Sequence, residues 1–366
     1  MGSASLYAVA QAPSRRVLGI DRFAPPHSLG SSHGRTRIIR EAYFEHPAYV
    51  PIVRRALDLW RELEKRCGKT LYKNTRGITL GPEDGMLVRG ARESAAAFGV
   101  PHRVLSAEGV RRHFPGLQPH DDMVGVVEDR AGVLFPEECI ATMIAGAEQA
   151  GADVRRDEAA TSWEVVGDGI RVRTAGGEYR ARQLVLSGGA WMPTLVPDLA
   201  PVLRVVRQPI HWFVPASHPE EFSAARCPVT LWEYAPNRVF YTLPDFGDGL
   251  KAAVHYEGQP VDPDHVDRRT SAAEDAQATD LLRRFMPHAN GHVRESQVCL
   301  YTNTPDLHFI IDVHPDHAEN VVVVSACSGH GFQFASAVGE IVRDLLDGAK
   351  PRFDLSMFRM TRFAAR

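Results

Sequence analysis

The chain has 366 residues, 44% of them apolar and 24% charged, which is ample for two domains with sizeable cores. Its 42 Lys and Arg nearly cancel its 45 Asp and Glu and are interspersed with them, for a formal net charge of −3, which argues against a nucleic-acid surface. No apolar run reaches the ~18 residues of a membrane span and no basic-then-apolar leader opens the chain. Its cysteines, at 67, 139, 227, 299 and 327, form no CxxC pair and no regular framework, so we expect a cytoplasmic protein of a reducing compartment.

In chain order, Gly2 to Ala12 reads as a short helix broken at Pro13, and Arg16 to Asp21 as a buried strand ending in an acid. A Gly opening a helix, with an acid about 20 residues on, is the second half of a dinucleotide-binding βαβ unit, in which the acid accepts hydrogen bonds from ribose hydroxyls. The first half, a strand and the first two glycines of G-x-G-x-x-G, does not precede Gly2, so Asp21 reads equally as a strand-end carboxylate in a turn. Next, Gly30-Ser-Ser-His-Gly34 runs into Thr36-Arg-Ile-Ile-Arg40, a loop entering a helix or an extended edge. Arg37 and Arg40 can each grip an oxyanion through two N–H groups. The alternative is a solvated basic face, against which Ile38 and Ile39 argue.

Tyr49 to Cys67 carries apolar residues at helical spacing and stops at Gly68, a packing helix. Short strands and two polar helices, 84–98 and 106–113, follow without convergent chemistry. Phe135 to Gly151 is a helix with Pro at its start and Gly at its end, leading into Ala152-Asp-Val154. Residues 160–187 read as a β-meander closing on Leu184-Val-Leu-Ser-Gly-Gly-Ala-Trp191. There the Gly188-Gly189 turn is a second place where backbone can meet a phosphate or ring. From Val202 to Val298 the strands read as an antiparallel sheet, with a helix at 273–285.

In Gly249-Leu-Lys251-Ala-Ala-Val-His255, Lys251 and His255 share one strand face, although a lone Lys beside a Gly is ordinarily solvated. Last, Asn320 to Ser325 reads as a buried strand, Ser328-Gly-His-Gly331 as a turn, and Phe332 to Leu346 as a helix closed by Gly348. Such a helix N-terminus offers unpaired N–H groups and partial positive charge, and the glycines permit close approach to the backbone. His308, Asp312, His314 and His317 fit no zinc spacing, so no metal is expected.

Four motifs in this order resemble the monomeric sarcosine oxidase and N-methyltryptophan oxidase family of FAD-dependent amine oxidases. They are Ser31-Ser-His-Gly-x-Thr-Arg-Ile-Ile-Arg40, Gly249-Leu-Lys251 with His255 four on, Cys299-x-Tyr-Thr-x-Thr-Pro-Asp306, and Ser328-Gly-His-Gly-Phe332. The resemblance runs from Gly2 to about Phe363. It implies an α/β flavoprotein, two-domain α+β in organisation. Residues 1–72, 130–202 and 304–366 would form a Rossmann-like FAD domain, and 73–129 and 203–303 a mostly antiparallel substrate domain. FAD would be carried through a thioether at Cys299. Gly2, Asp21, Arg22, Ser32, His33, Thr36 and Arg37 would lie along it from the N-terminal side, with Arg37 against the isoalloxazine. Val154, Gly188, Gly189 and Trp191 would meet it from mid-chain, and Tyr301, Gly329, His330 and Gly331 from the C-terminal side.

On the substrate side the resemblance implies Arg40 facing a carboxylate, with Tyr241 and His255 lining the cavity. Lys251 would contact the flavin N5 through water and speed reaction with O2. The implied reaction is hydride transfer from a secondary N-methyl amino acid. The imine hydrolyses to release formaldehyde, and O2 reoxidises the flavin to give H2O2, in a monomer with no nucleic-acid or membrane partner. Charge on the reduced flavin would be met by the helix N-terminus at Gly329–Gly331. The family's usual lysine after this turn is here Gln333, which donates a hydrogen bond but brings no charge, so carboxylate recognition with Arg40 is expected to be weaker or the substrate different. Three alternatives stay open: a dehydrogenase passing electrons to another carrier, an oxidase of a cyclic imino acid such as pipecolate, and a non-catalytic relic unable to hold FAD. We also expect Met1 to be an internal Met of the Gly-rich turn, with about a dozen residues upstream that supply the first strand.

Overall fold

The computed structural model describes residues 1–317 and 320–363; residues 364–366, the end of the third expected FAD-domain piece, lie outside them. Its largest sheet has nine strands, all drawn from residues 77–303. Arg204–Phe213 is its spine, pairing antiparallel with Val293–Asn303, Leu250–His255 and Gln259–Pro260. From Leu250–His255 the sheet continues through Arg238–Leu243, Val229–Ala235 and Gly77–Pro82 to Met123–Glu128 and Arg103–Ser106. Only the junction of Val229–Ala235 with Gly77–Pro82 is parallel. The Ala272–Phe285 helix covers this sheet, its start fixed by a capping box between Ser271 and Glu274.

The remaining strands form smaller sheets. Leu18–Ile20 pairs in parallel with Asp153–Arg155, setting Gly19 opposite Val154. Leu184–Leu186 pairs in parallel with Val321–Ser325, which also pairs antiparallel with Ile310–Val313. The expected meander is a three-stranded antiparallel sheet of Ala160–Val166, Gly169–Thr174 and Gly177–Ala181. The Thr36–Arg40 stretch takes the extended of its two readings: Arg37–Ile39 pairs with Gly132–Leu134.

The helices are set by their apolar faces and stops. Tyr49–Cys67 buries Val50, Val53, Leu57 and Trp60 on one side and ends on Gly68, whose left-handed φ of 68° lets its N–H cap Glu64 O. Gly2–Ala10 packs on both the last helix, Ala335–Leu346, and Pro136–Gln149. A Cβ at Gly339 would lie 2.5 Å from Ala4 O, so a glycine is what lets the first and last helices close on each other. No helix among the described residues is long and apolar enough to cross a membrane.

Candidate active site

A cavity of ≈ 1780 Å³ runs between these sheets, well beyond the roughly 300–1,000 Å³ of an ordinary small-ligand pocket. Of the residues expected from sequence to serve the site, all line it except His33, which packs behind Cys299. One end is formed by Gly2, Asp21, Arg22, Val154 and the Gly188-Gly189-Ala-Trp191 turn; the other contains Arg40, His255 and Gln333. Asp21 lines the cavity, and its Oδ1 accepts from Phe23 N–H at 2.9 Å in a turn. At the mouth Arg22 stacks over Trp191, 5.3 Å from the ring, and both side chains bond Asp264.

Cys299 is delivered by the long Val293–Asn303 strand and is 2% exposed. Arg37 Nη2 lies 3.6 Å from its Sγ and His33 Nδ1 3.9 Å, while Arg37 is itself fixed by Ser31 O and Thr36 O. Burial alone would raise the thiol's pKa, but the Arg37 charge, the His33 hydrogen bond and the Lys251 charge outweigh it, leaving it lowered to about 6. The group is therefore largely thiolate at neutral pH. Burial likewise pulls on Arg37, yet Cys299 and Tyr241 more than offset it and the guanidinium stays charged.

Lys251, on Leu250–His255, is buried, against the solvated reading of a lone lysine. Its Nζ donates to Gly34 O at 2.8 Å and Thr36 O at 2.9 Å, carbonyls of a segment more than 200 residues away. Burial first, and Arg37 next, hold its pKa well below the usual lysine value. His255 hydrogen bonds Tyr301 Oη at 3.1 Å, meets Tyr241 edge-on, and is kept neutral mainly by burial.

The glycine turn after Val321–Ser325 is built as the sequence suggests, but its space is already used. Gly329 has φ of 75°, and a Cβ there would lie 2.5 Å from the Tyr301 ring; at Gly331 it would lie 1.8 Å from Ala326 O. The approach these glycines permit is thus that of Tyr301 and of the chain on itself. The helix beyond does not begin at once: Phe332–Phe334 is a 3₁₀ turn and the α-helix starts at Ala335.

Gln333 and Arg40 depart from the expectation that both offer free groups to a carboxylate. Gln333 Oε1 accepts the Arg40 backbone N–H at 3.0 Å, and its Nε2 donates to Tyr43 Oη at 3.3 Å and His330 O at 3.4 Å. His330 Nε2 lies 3.0 Å from Leu307 O, which makes it the donor and leaves Nδ1 to accept from Tyr43 Oη at 2.6 Å. Burial lowers the His330 pKa to about 4, in keeping with this neutral tautomer. Arg40 Nη2 is bound by both oxygens of Glu45, at 2.9 and 2.7 Å. Glu45 and Tyr43 are the residues that sequence reasoning missed; an acid close to an arginine within an apolar loop, Ala42-Tyr-Phe44, was the available signal. His308, Asp312, His314 and His317 do not converge: among the described residues no group of three such side chains could hold an ion.

The donor set fits an extended anionic cofactor. Ser5, Ser31 and Ser325 line the cavity with buried hydroxyls that have no partner among the described residues, and the Gly2–Ala10 helix opens onto it. Fold and site together define a two-domain α/β enzyme that holds such a cofactor beside a nucleophilic thiol. The profile of the FAD dependent oxidoreductase family (DAO) matches residues 1–345. The monomeric sarcosine oxidase of Streptomyces avermitilis is 38% identical over 100% of this chain and 96% of its own length. The N-methyl-L-tryptophan oxidase of Citrobacter koseri is 34% identical over 99% of this chain and 96% of its own. In fold, the chain superposes on NikD, an unusual amino acid oxidase essential for nikkomycin biosynthesis, with a TM-score of 0.83 at 23% identity, over 98% of this chain and 94% of that one. The chain belongs to the FAD dependent oxidoreductase family, within its group of monomeric sarcosine oxidases and N-methyl-L-tryptophan oxidases. It is an oxidoreductase, and its cofactor is FAD.

Proposed function

We propose that the protein is an oxidase of secondary N-methyl amino acids, yielding with O2 the demethylated amino acid, formaldehyde and H2O2. The observation that carries this reading is the seating of Cys299, a buried thiol with a pKa of about 6, in the same cavity that holds Arg40. The relatives' names support the substrate class, since sarcosine and N-methyl-L-tryptophan are both N-methyl amino acids.

Bound FAD would supply the hydride acceptor for the carbon beside the amine and the route for electrons to O2. Cys299 would hold it covalently, and Asp21, Arg22 and the Gly188-Gly189 turn would hold its adenosine and phosphates. Arg40 binds the substrate carboxylate. Neutral His255 and Tyr241 line the space beside it, excluding water and leaving the amine unprotonated. Lys251 would supply positive charge where O2 is reduced. Residues 1–72, 130–202 and 304–366 form the FAD domain and the rest the substrate domain, in a cytoplasmic monomer.

The test is a panel of N-methyl amino acids, with the parent amino acids and cyclic imino acids alongside, assayed for peroxide and formaldehyde. We expect both products in equal amounts from N-methyl substrates. Peroxide from cyclic imino acids alone would replace this reading with an imino acid oxidase. Flavin reduction without peroxide would make the protein a dehydrogenase.

A further inference from the structure

Arg40 does not stand free at its end of the cavity. Nη2 donates to both carboxylate oxygens of Glu45, Nη1 donates to Ala42 O at 3.1 Å, and the guanidinium lies 4.1 Å from the Tyr43 ring and 4.7 Å from that of Phe44. The two charged side chains are 4% and 8% exposed, and both line the cavity. With so little solvent to screen it, a carboxylate at hydrogen-bond distance cancels most of the guanidinium's field. The neighbours do not restore it. His255 and His330 are held neutral by burial, and the Gln333 amide is committed to Arg40 N–H, Tyr43 and His330 O.

We propose that Glu45 is an internal competitor for Arg40 that sets the affinity of the site for carboxylate-bearing ligands. The inference rests on the reading of this end of the cavity as the substrate site, and it narrows the substrate class. An incoming carboxylate has two routes. It can displace Glu45 from Nη2, which strands a buried negative charge, or it can share the guanidinium, which sets two like charges side by side. Both routes subtract from binding. With no second cation at residue 333, and His255 and His330 neutral, the side chains beside Arg40 do not offset the loss. The site therefore discriminates weakly for the carboxylate and draws its selectivity from the apolar and aromatic part of the ligand, so that carboxylate-free secondary amines are accepted alongside N-methyl amino acids. Glu45 acts through Arg40 and is a positioning residue.

The test is calorimetric titration of the FAD-loaded protein with benzoate and with benzamide, a pair that differs in charge and scarcely in shape. Glu45→Gln keeps an oxygen to accept from Arg40 while removing the charge. It should tighten benzoate by about tenfold or more and leave benzamide within about twofold, the gain expected from freeing a charge-assisted pair. In turnover it should lower KM for N-methyl amino acids with kcat little changed. Unchanged or weaker benzoate binding, or an equal gain for benzamide, overturns the proposal. Should Glu45→Gln fail to fold, the wild type decides alone: near-equal affinities support the proposal, and a preference for benzoate of about tenfold or more overturns it. Neither probe is a substrate, so the outcomes separate. A protein that oxidises no N-methyl amino acid but gains benzoate affinity in Glu45→Gln keeps this inference and loses the proposed activity.

Discussion

Arg37 Nη2 lies 3.6 Å from Cys299 Sγ, and the two are joined across 262 positions of sequence by the pairing of neither strand with the other. The contact is made by side chains alone, with Arg37 aimed by the carbonyls of Ser31 and Thr36. It converts a buried thiol, which would otherwise titrate high, into one poised at about 6.

That pairing predicts a titration. In apoprotein produced without flavin, so that Cys299 is free, the rate of alkylation at Cys299 should rise with pH through a midpoint near 6 and level off above it, because the thiolate is the nucleophile. Arg37→Met removes the largest charge lowering the pKa, so the midpoint should move above about 8.5, where burial leaves a thiol. In the flavin-loaded protein, Cys299→Ser should release its flavin on acid precipitation while the wild type stays yellow. A wild-type midpoint near 9, or wild-type flavin lost to the supernatant, would refute the assignment.

Lys251 is predicted to serve reoxidation. A cation beside the site where O2 is reduced stabilises the developing negative charge, while hydride transfer to the flavin needs it less. Lys251→Met should slow reoxidation about 10²–10³-fold, by analogy with loss of one preorganised charge-stabilising group, with a much smaller effect on anaerobic reduction. Since burial lowers the Lys251 pKa, the charge is present below that pKa and lost above it, so wild-type reoxidation should slow as pH rises. Equal losses in both half-reactions, measured by stopped flow, would count against this role.

How far the sequence reaches depends on how local the determinant is. The helix Tyr49–Cys67 and the strand Val321–Ser325 were legible because periodicity and β-branched runs are written over consecutive residues. The motif around Cys299 pointed to a residue that lines the cavity. Lys251 was ambiguous because the carbonyls that hold it, Gly34 O and Thr36 O, come from a distant segment that no pattern near residue 251 announces. The Arg40–Glu45 pair was missed for another reason: five residues apart in an irregular loop, it matches neither strand nor helix spacing. At Gly329 the residue type was read correctly and its occupant was not, since Tyr301 fills the space.

Gln333 is predicted to act as a structural link. Its amide joins Arg40 N–H, Tyr43 Oη and His330 O, all buried. Gln333→Leu would orphan the Arg40 N–H and cost about 1–3 kcal/mol in urea denaturation. Gln333→Lys restores no acceptor for that N–H and sets a second buried cation beside Arg40, so it should be at least as destabilising. If Gln333→Leu stays within about 0.5 kcal/mol of wild type, as an ordinary surface change does, the network carries no stability.

The last prediction concerns the parallel sheets beneath the Gly2–Ala10 helix. Among the described residues, Leu18–Ile20 pairs only with Asp153–Arg155, and Leu184–Leu186 only with Val321–Ser325. The first helix packs on both Leu18–Ile20 and Leu184–Leu186, and both line the same cavity. Each therefore keeps one edge whose N–H and C=O groups lack a ladder partner, with an apolar slot between that is lined by Leu6, Val9, Ile20 and Val185. A parallel strand laid in this slot would join the two sheets into one and lead by a glycine turn into Gly2, the arrangement in which a βαβ unit seats a pyrophosphate on its helix N-terminus. We predict that an N-terminal extension of about a dozen residues, an apolar β-branched strand followed by Gly-x-Gly, raises both flavin content and thermal stability over a chain beginning at Met1. Flavin stoichiometry from the visible absorbance and a melting curve of the two proteins measure it. An extension of the same length rich in Gly and Ser, which cannot fill an apolar slot, should leave both unchanged. If the chain starting at Met1 already holds one flavin per molecule and the strand adds nothing, the two edges do not await a partner.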